Sequence, residues 1–533
     1  MAGANSKKRV AIVGAGAAGM SAAYALSRHP ELFDVVLYER SSYTGGMATS
    51  SPIDKDKYGA DYINDGVQGC SPVFYNTFAI LGKLGFSCTE VGMQVSFGHD
   101  AEQDFWSNVF PSQVIERFRS DIKKFGKVLK VIKALEPFFA LISVTAMLKI
   151  FGFSKEFGEV IVYPLVALFF GTGNQTPYVS AAILERVFMD PNMRLFEYSP
   201  TSFLASIPEM RAFPKLSSVY DAWRQELERT GNVRISLDTE VTRAKRRGKI
   251  ELWSRSTKGT ANDQSVIGPS QETSDEFDEM IIATDANAAL QILGEDASWL
   301  EKKILGNVKY LWDVTITHND LEYMQKYYRT QYSDELRSKS RDDDPQAQEQ
   351  FKKAREDFHP LYYIRSYPSN KRKIEMSFDL TNYQPQFKGI PPRGPENQKA
   401  AGNPNSPLSK HVFQTIFLDR DGSKDLWSKG EINPDKIIMD KWWKQQSHRW
   451  QHYGGTVPWM MFINGKHHTH FVGAWTVLNM HEIAVVSGFA AAYRLGAKYP
   501  FNDDNNCRRL FLLCLALSHG VRMRKADRKG FFA

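Results

Sequence analysis

Residues 10–39 read as strand, glycine-rich turn, helix and second strand, and this unit limits the fold more than any other part of the chain. Val10–Val13 is a short apolar run, followed by Gly14-Ala15-Gly16-Ala17-Ala18-Gly19. A small-residue helix over Ala17–Ser27 comes next, then a second apolar run, Val35–Tyr38, ending at Glu39. In such a pattern Gly14 permits the tight turn after the strand. Gly16 lets the backbone approach a pyrophosphate, and Gly19 allows close packing of helix on strand. The helix start, with Ala17 and Ala18 in its first turn, offers free N–H groups and a positive dipole end to phosphates. Glu39 lies 20 residues after Gly19, where its carboxylate can accept both hydroxyls of an adenosine ribose. An acid there disfavours a 2′-phosphate, so NADP is not expected. The fingerprint alone admits NAD or FAD.

Composition sets the frame around this unit. The 533 residues are 42% hydrophobic and 24% charged, an ordinary globular balance. That length corresponds to about three domains, or two large ones with insertions. Aromatics at 13% fit a large core or a deep apolar pocket. Cys70, Cys88, Cys507 and Cys514 form no CxxC pair and no zinc spacing, which points to reduced thiols in a reducing, cytoplasmic setting. Met1–Arg9 is polar and basic, so no secretory signal is expected, and no apolar run reaches the length of a spanning helix. The net charge of +7 is concentrated at the C-terminal end. Arg508, Arg509, Arg522, Arg524, Lys525, Arg528 and Lys529 face one acid, Asp527. A tail excess of this kind argues against a broad nucleic-acid-binding face.

Other segments are assigned by periodicity. Ser112–Leu135 reads as one long helix, with Ile115, Phe118, Ile122, Phe125, Leu129 and Ile132 on one face and seven Arg and Lys residues between them. Such a helix lies either on an anionic membrane or, with a solvated basic face, over a core stripe. Val233–Leu237, Glu240–Lys245, Lys249–Trp253 and Phe277–Thr284 read as strands, with a polar loop across Ser254–Glu276. Ser333–Asp357 reads as an exposed helix or insertion, and Pro385–Ser409 as a mobile loop. His467, His468 and His470 precede a strand without a carboxylate in register, so no metal is expected. No GxSxG, HExxH or P-loop supports a hydrolase or kinase.

Beyond Glu39 and Arg40 a second glycine pair, Gly45-Gly46, precedes Met47 and Ala48. It would let the chain run back along a diphosphate toward a flavin ring. The stretch from Val10 to Ser50 resembles the FAD-binding region of the amine oxidase and phytoene desaturase superfamily. That superfamily carries E-(R/K)-x-x-x-x-G-G here, with Arg or Lys often at the position of Met47. Val233–Lys245 resembles the strand pair whose valine, here Val241, holds the adenine through its backbone. FDEMIIATDANAAL then places Ala283 and Thr284 at the strand end. Phe471–Leu495 resembles the closing FAD motif, a strand ending at Gly473 and a helix starting near Glu482. Glu482-Ile483-Ala484 stands where Glu-Gly-Ala is common. Asp61–Phe86 is most similar to a less characterised branch of NAD(P)/FAD-binding proteins, and Tyr163–Met189 is loosely similar to flavin-dependent fatty-acid double-bond isomerases.

The resemblance implies an α/β fold with FAD as cofactor. A discontinuous Rossmann-like dinucleotide-binding domain would comprise residues 1–100, 205–300 and 445–500. An inserted α+β substrate domain would comprise 101–204 and 301–444, leaving 501–533 as a basic C-terminal tail. Trp475, Met480 and His481 would lie near the flavin ring and are the candidate catalytic residues, with His481 either an acid–base group or a capping and packing residue. Asn479 and Met480 stand where amine oxidases carry an aromatic cage, which favours an apolar substrate. The expected reaction is hydride removal from a small lipophilic substrate (fatty acyl, polyene or terpenoid-like), with electrons passed to oxygen or another acceptor. A redox-neutral double-bond isomerase is the alternative, and a non-catalytic, membrane-docked dinucleotide-binding protein the second. Arg508–Lys529 would either touch an anionic membrane peripherally or form a buried final helix with a solvated tail.

Overall fold

The first strand, Lys8–Val13, is buried over its last four residues, as a central strand of a sheet covered on both faces must be. Phe33–Tyr38 pairs parallel to it on one side and Glu279–Ile282 on the other. Val233–Ser236 and Thr469–Phe471 complete a five-stranded parallel sheet as its two edges. The register aligns Tyr38, Val13, Ile282 and Phe471, so strands from distant parts of the chain end on one rim. Ligands of such sheets bind at the carboxyl ends of the strands. The computed structural model describes residues 7–170, 174–191, 194, 196–204, 206–258, 272–391 and 406–528.

Helix Ala17–Ser27 is buried along its whole length. Its small side chains admit the closing helix, His481–Leu495, at close range. A Cβ placed on Gly488 would stand 2.1 Å from the Ala18 carbonyl oxygen. An antiparallel sheet of Thr239–Arg247, Lys249–Ser256 and Thr273–Phe277 is appended to this layer. The loop expected across 254–276 is thus shorter at both ends, and residues 259–271 lie outside the described residues. Thr273–Glu276 reads as loop because it is an edge strand with little to bury.

The second layer is a seven-stranded mixed sheet in the order Ile437–Gln446, Tyr310–His318, Phe413–Phe417, Asn370–Asp379, Tyr362–Tyr367, Val95–Phe97 and Trp106–Ser107. One face packs on Tyr323 and Met324, and the other turns toward the parallel-sheet layer. Helices between residues 113 and 189 cover its far end. The helix expected over Ser112–Leu135 is two, Gln113–Arg117 and Arg119–Ala134, joined at Phe118. Ile122, Phe125, Leu129 and Ile132 are buried, so the apolar stripe is core and Lys123, Lys127, Lys130 and Lys133 lie on the exposed outer face.

Two further expectations are corrected. Pro345–Asp357 is a helix that buries Ala347, Phe351 and Ala354 in a cluster with Phe105 and Phe110, so it is not simply exposed. Pro385–Lys388 is a tight 3₁₀ turn with Pro385, Gln386 and Phe387 buried, and residues 392–405 lie outside the described residues. Of the two readings of the C-terminal segment, a buried final helix is present: Asn505–His519, capped by Asp504, buries Cys507, Leu510, Phe511, Cys514 and Leu515. Phe511 stacks on Tyr499 at 3.9 Å, Arg508 is buried and donates to the Asn502 carbonyl and Asn505 Oδ1, and Arg509 is exposed. No helix among the described residues is long and apolar enough to cross a membrane.

Candidate functional site

The rim of the parallel sheet gathers most of the residues singled out in the sequence. Gly14 has φ +104°, a conformation that favours glycine, and a Cβ there would stand 2.9 Å from the Ala283 carbonyl oxygen. A Cβ on Gly19 would stand 1.9 Å from the Gly14 oxygen, so helix and turn are in direct backbone contact. Gly16 differs: a Cβ on it would meet nothing nearer than the Gly46 Cα at 4.0 Å. Gly16 and Gly45 form a parallel bridge, with the Gly45 N–H donating to the Ala15 carbonyl at 2.8 Å. The two glycine turns therefore lie side by side above the N-terminus of Ala17–Ser27. The cradle left between them is the place where a diphosphate would be held by Ala17 and Ala18 N–H groups.

Glu39 closes one end of this cradle. Its carboxylate accepts from the Ala15 N–H at 2.8 Å and the Ser41 N–H at 2.9 Å. Each oxygen keeps a lone pair for a further donor. Arg40 is exposed, and its carbonyl accepts from Thr257. The Thr239 N–H donates to the Glu39 carbonyl, tying the appended sheet to the rim. Val241 lies two residues further along, buried beside a register shift. Ala48 is buried behind the second glycine turn, and the Met47 carbonyl lies against Gly66.

The other end of the cradle is closed by the last strand. Gly473 has φ +141° and donates its N–H to Ser487 Oγ at 2.9 Å. Trp475 is buried and donates Nε1–H to the Thr284 carbonyl at 3.0 Å, joining two strand ends. This bond makes Trp475 a structural link. Met480 precedes the closing helix and is half-buried, while Ile483 and Ala484 are buried in its first turn.

His481 and Glu482 belong to a hydrogen-bonded chain across three helices. Glu482 Oε1 accepts from the Asn76 N–H and Nδ2–H, and Oε2 accepts from the Thr77 N–H and Oγ1–H. The carboxylate thus sits on the N-terminus of helix Tyr75–Lys83, where the dipole favours it, although burial raises its pKa. Thr77 spends its only hydroxyl proton on Glu482, so its oxygen accepts from His481 Nδ1–H at 3.0 Å. The opposite nitrogen, Nε2, then accepts from the Tyr220 hydroxyl at 2.8 Å. Burial pushes the His481 pKa down to about 4, so the ring is neutral at pH 7. The arrangement fits a packing histidine whose two nitrogens are both engaged. Tyr220, on helix Leu216–Arg229, also lies against Gly45, with its Cγ 3.2 Å from a Cβ placed there.

Glu482→Ala is expected to leave four donors facing a methyl group and to cost about 3 kcal/mol or more. Glu482→Gln, which keeps one acceptor, should fall between. Urea midpoints of the three proteins check this, and an alanine variant as stable as the wild type would refute the assigned network.

Tyr220, Asn76 and Thr77 were not visible in the sequence, because Tyr220 reads as one member of an amphipathic stripe and the other two as an unremarkable helix start. A second group was equally silent. Lys441 donates to Asp65 at 2.7 Å and Thr49 at 3.0 Å, and Gln68 donates to Gln414 at 2.7 Å. These bonds fasten the large sheet to the segment following the second glycine turn. Of the three histidines around the last strand, exposed His468 and buried His470 both approach the Glu279 carboxylate, at 3.3 Å and 4.0 Å, so a carboxylate does lie beside them, contrary to expectation; His467 is exposed, and His470 also lies against His519 at 5.9 Å.

Comparison with known proteins agrees with this architecture. A family model described as an NAD(P)-binding Rossmann-like domain matches residues 12–79. Putrescine oxidase, solved with putrescine bound, superposes over 92% of this chain and 99% of its own, with a TM-score of 0.57 and 12% identity. A CLA-producing fatty acid isomerase from P. acnes matches over 90% and 97%, with TM-score 0.56 and 13% identity. Cyclohexylamine oxidase from Brevibacterium oxydans matches over 92% and 98%, with TM-score 0.54 and 13% identity. The chain has their fold. A search of curated protein sequences finds no match.

Proposed function

We propose that this protein is an FAD-dependent oxidoreductase that removes a hydride from a largely apolar substrate with a polar end. The observation that carries the cofactor is the open cradle between Gly16 and Gly46, bounded by Glu39 and by the start of helix Ala17–Ser27. Glu39 would hold the adenosine ribose. The Ala17 and Ala18 N–H groups would hold the diphosphate, and the backbone near Val241 the adenine. When bound, the flavin supplies hydride acceptance; the protein supplies binding, orientation and exclusion of water.

The substrate class rests on the sheet face that turns toward the rim. At one end it presents Thr315, which accepts from Trp443 Nε1–H, and Gln414, which donates to the Asp65 carbonyl. Across the same face Gln414 is paired with Phe378, and Phe378 with Tyr362. Polar groups near the nucleotide layer and apolar ones beyond it suit a molecule with one polar end and an apolar body. A redox-neutral isomerase is the second reading, favoured by the match to a fatty acid isomerase over nearly the whole chain.

The test is the visible absorbance spectrum of the purified protein before and after denaturation. A flavin spectrum with FAD in the released fraction is the expected result. A colourless protein that takes up no added FAD would overturn the proposal. Anaerobic incubation with unsaturated lipids separates the two reactions: a shifted double bond without consumption of an acceptor identifies the isomerase.

A further inference from the structure

We propose that residues 131–150 and 454–462 together form a docking surface for an anionic lipid bilayer. This surface does not depend on the flavin proposal. Leu135, Phe138, Leu141, Ile150, Trp459 and Phe462 are each between 46% and 58% exposed. Scattered exposed apolar side chains are ordinary, but a grouped set marks an interaction site.

Side-chain contacts join the two segments. Leu141 Cδ2 lies 2.8 Å from a Cβ placed on Gly454. Trp459 donates Nε1–H to the Gly454 carbonyl at 2.8 Å, and its ring meets Phe462 at 5.8 Å. Segments far apart in sequence thus form one apolar surface of short turns and helix ends.

Charge identifies the occupant. Glu136 is the one acid in residues 122–150, and it pairs with Arg186; residues 454–470 contain none. Lys127, Lys130 and Lys149 are exposed and make no ion pair among the described residues, whereas Lys133 reaches Glu185. On the other flank Lys466 is exposed, and Gly520, which precedes exposed Arg522 by two residues, packs against Met461. Insertable Trp, Phe and Leu tips framed by unpaired cations match the interface of an anionic bilayer, where aromatic rings sit at headgroup depth and lysines meet phosphates. Lys127 and Lys130 also border a groove of about 510 Å³, lined further by Lys123 and by Arg194, which pairs with Glu197 at 3.4 Å, so the lysines supply its free positive charge.

The experiment is co-sedimentation of the full chain with phosphatidylcholine vesicles, with and without phosphatidylserine. Binding is expected to need phosphatidylserine and to weaken with salt. The exposed double substitution Trp459→Ser with Phe462→Ser should weaken it at least about tenfold, as should Lys127→Glu with Lys130→Glu. Trp442→Ser, at an exposed site on the large sheet, should leave it unchanged. Thermal midpoints of all variants verify folding. No binding by the wild type, or equal binding by both double variants, overturns the proposal. So does self-association that the Trp459/Phe462 variant abolishes without vesicle binding, which would make the surface a contact between copies of the chain.

Discussion

Gly16→Val is expected to give a folded, colourless protein, with flavin affinity reduced about a hundredfold or more. The position is unusual among the three fingerprint glycines. A Cβ on Gly14 or Gly19 would run into backbone oxygen at 2.9 Å and 1.9 Å, so substitution there disturbs the fold itself. At Gly16 the space is open, and the nearest atom is 4.0 Å away. Valine methyls would therefore project into the cradle without displacing Ala17–Ser27 from the sheet. Absorbance and thermal midpoint separate the outcomes. Wild type should be yellow, Gly16→Val colourless with a similar midpoint in the absence of FAD, and Gly19→Val depleted in folded protein. A Gly16→Val protein that purifies yellow would remove this loop from the cofactor site.

The contrast among these glycines also shows what was legible in the sequence. The strand–turn–helix unit is local, and each of its requirements acts over a few residues, so its pattern survives in the chain. The parallel sheet was readable for the same reason, as short apolar runs between loops. The sequence left the Asn505–His519 segment open between a membrane-touching tail and a buried helix, because its buried face of Cys507, Leu510, Phe511, Cys514 and Leu515 adjoins arginines that suggest a solvated tail. The break at Phe118 was hidden because the stripe continues in register through Ile122. Local patterns could not reveal the Tyr220–His481–Thr77–Glu482 chain, whose members lie up to 405 positions apart and meet only when three helices pack. Position near a presumed ligand was inferable for His481 and Glu482. Their hydrogen-bond partners were not, and those partners leave the Glu482 carboxylate to cap a helix.

Between about pH 7 and pH 5 the protein is expected to lose stability, because it buries neutral histidines throughout its layers. Burial pushes the pKa of His481 and His452 down to about 4, and that of His318, His448 and His470 to about 3. His519 is lowered as well. Their folded-state values lie below the unfolded value of about 6.5. Below that pH the unfolded chain takes up protons that the folded chain refuses, so stability falls as pH falls toward 4. Each histidine contributes a slope of about 1.4 kcal/mol per pH unit. His99 is lowered by partial burial too. Carboxyls raised by burial oppose the trend: Asp313, to about 8, and Glu482, Glu185 and Asp121. His411, buried but raised by its bond to Asp379 at 2.7 Å, opposes it only above the unfolded value of about 6.5. The lowered histidines outnumber the raised carboxyls, so the net effect is a fall in stability with falling pH. Urea midpoints should therefore drop steeply below about pH 6.5, with net proton uptake on unfolding. His519→Gln should reduce that uptake by about one proton. A urea midpoint unchanged from pH 7 to pH 5 would mean that these rings are already hydrated or protonated in the folded protein.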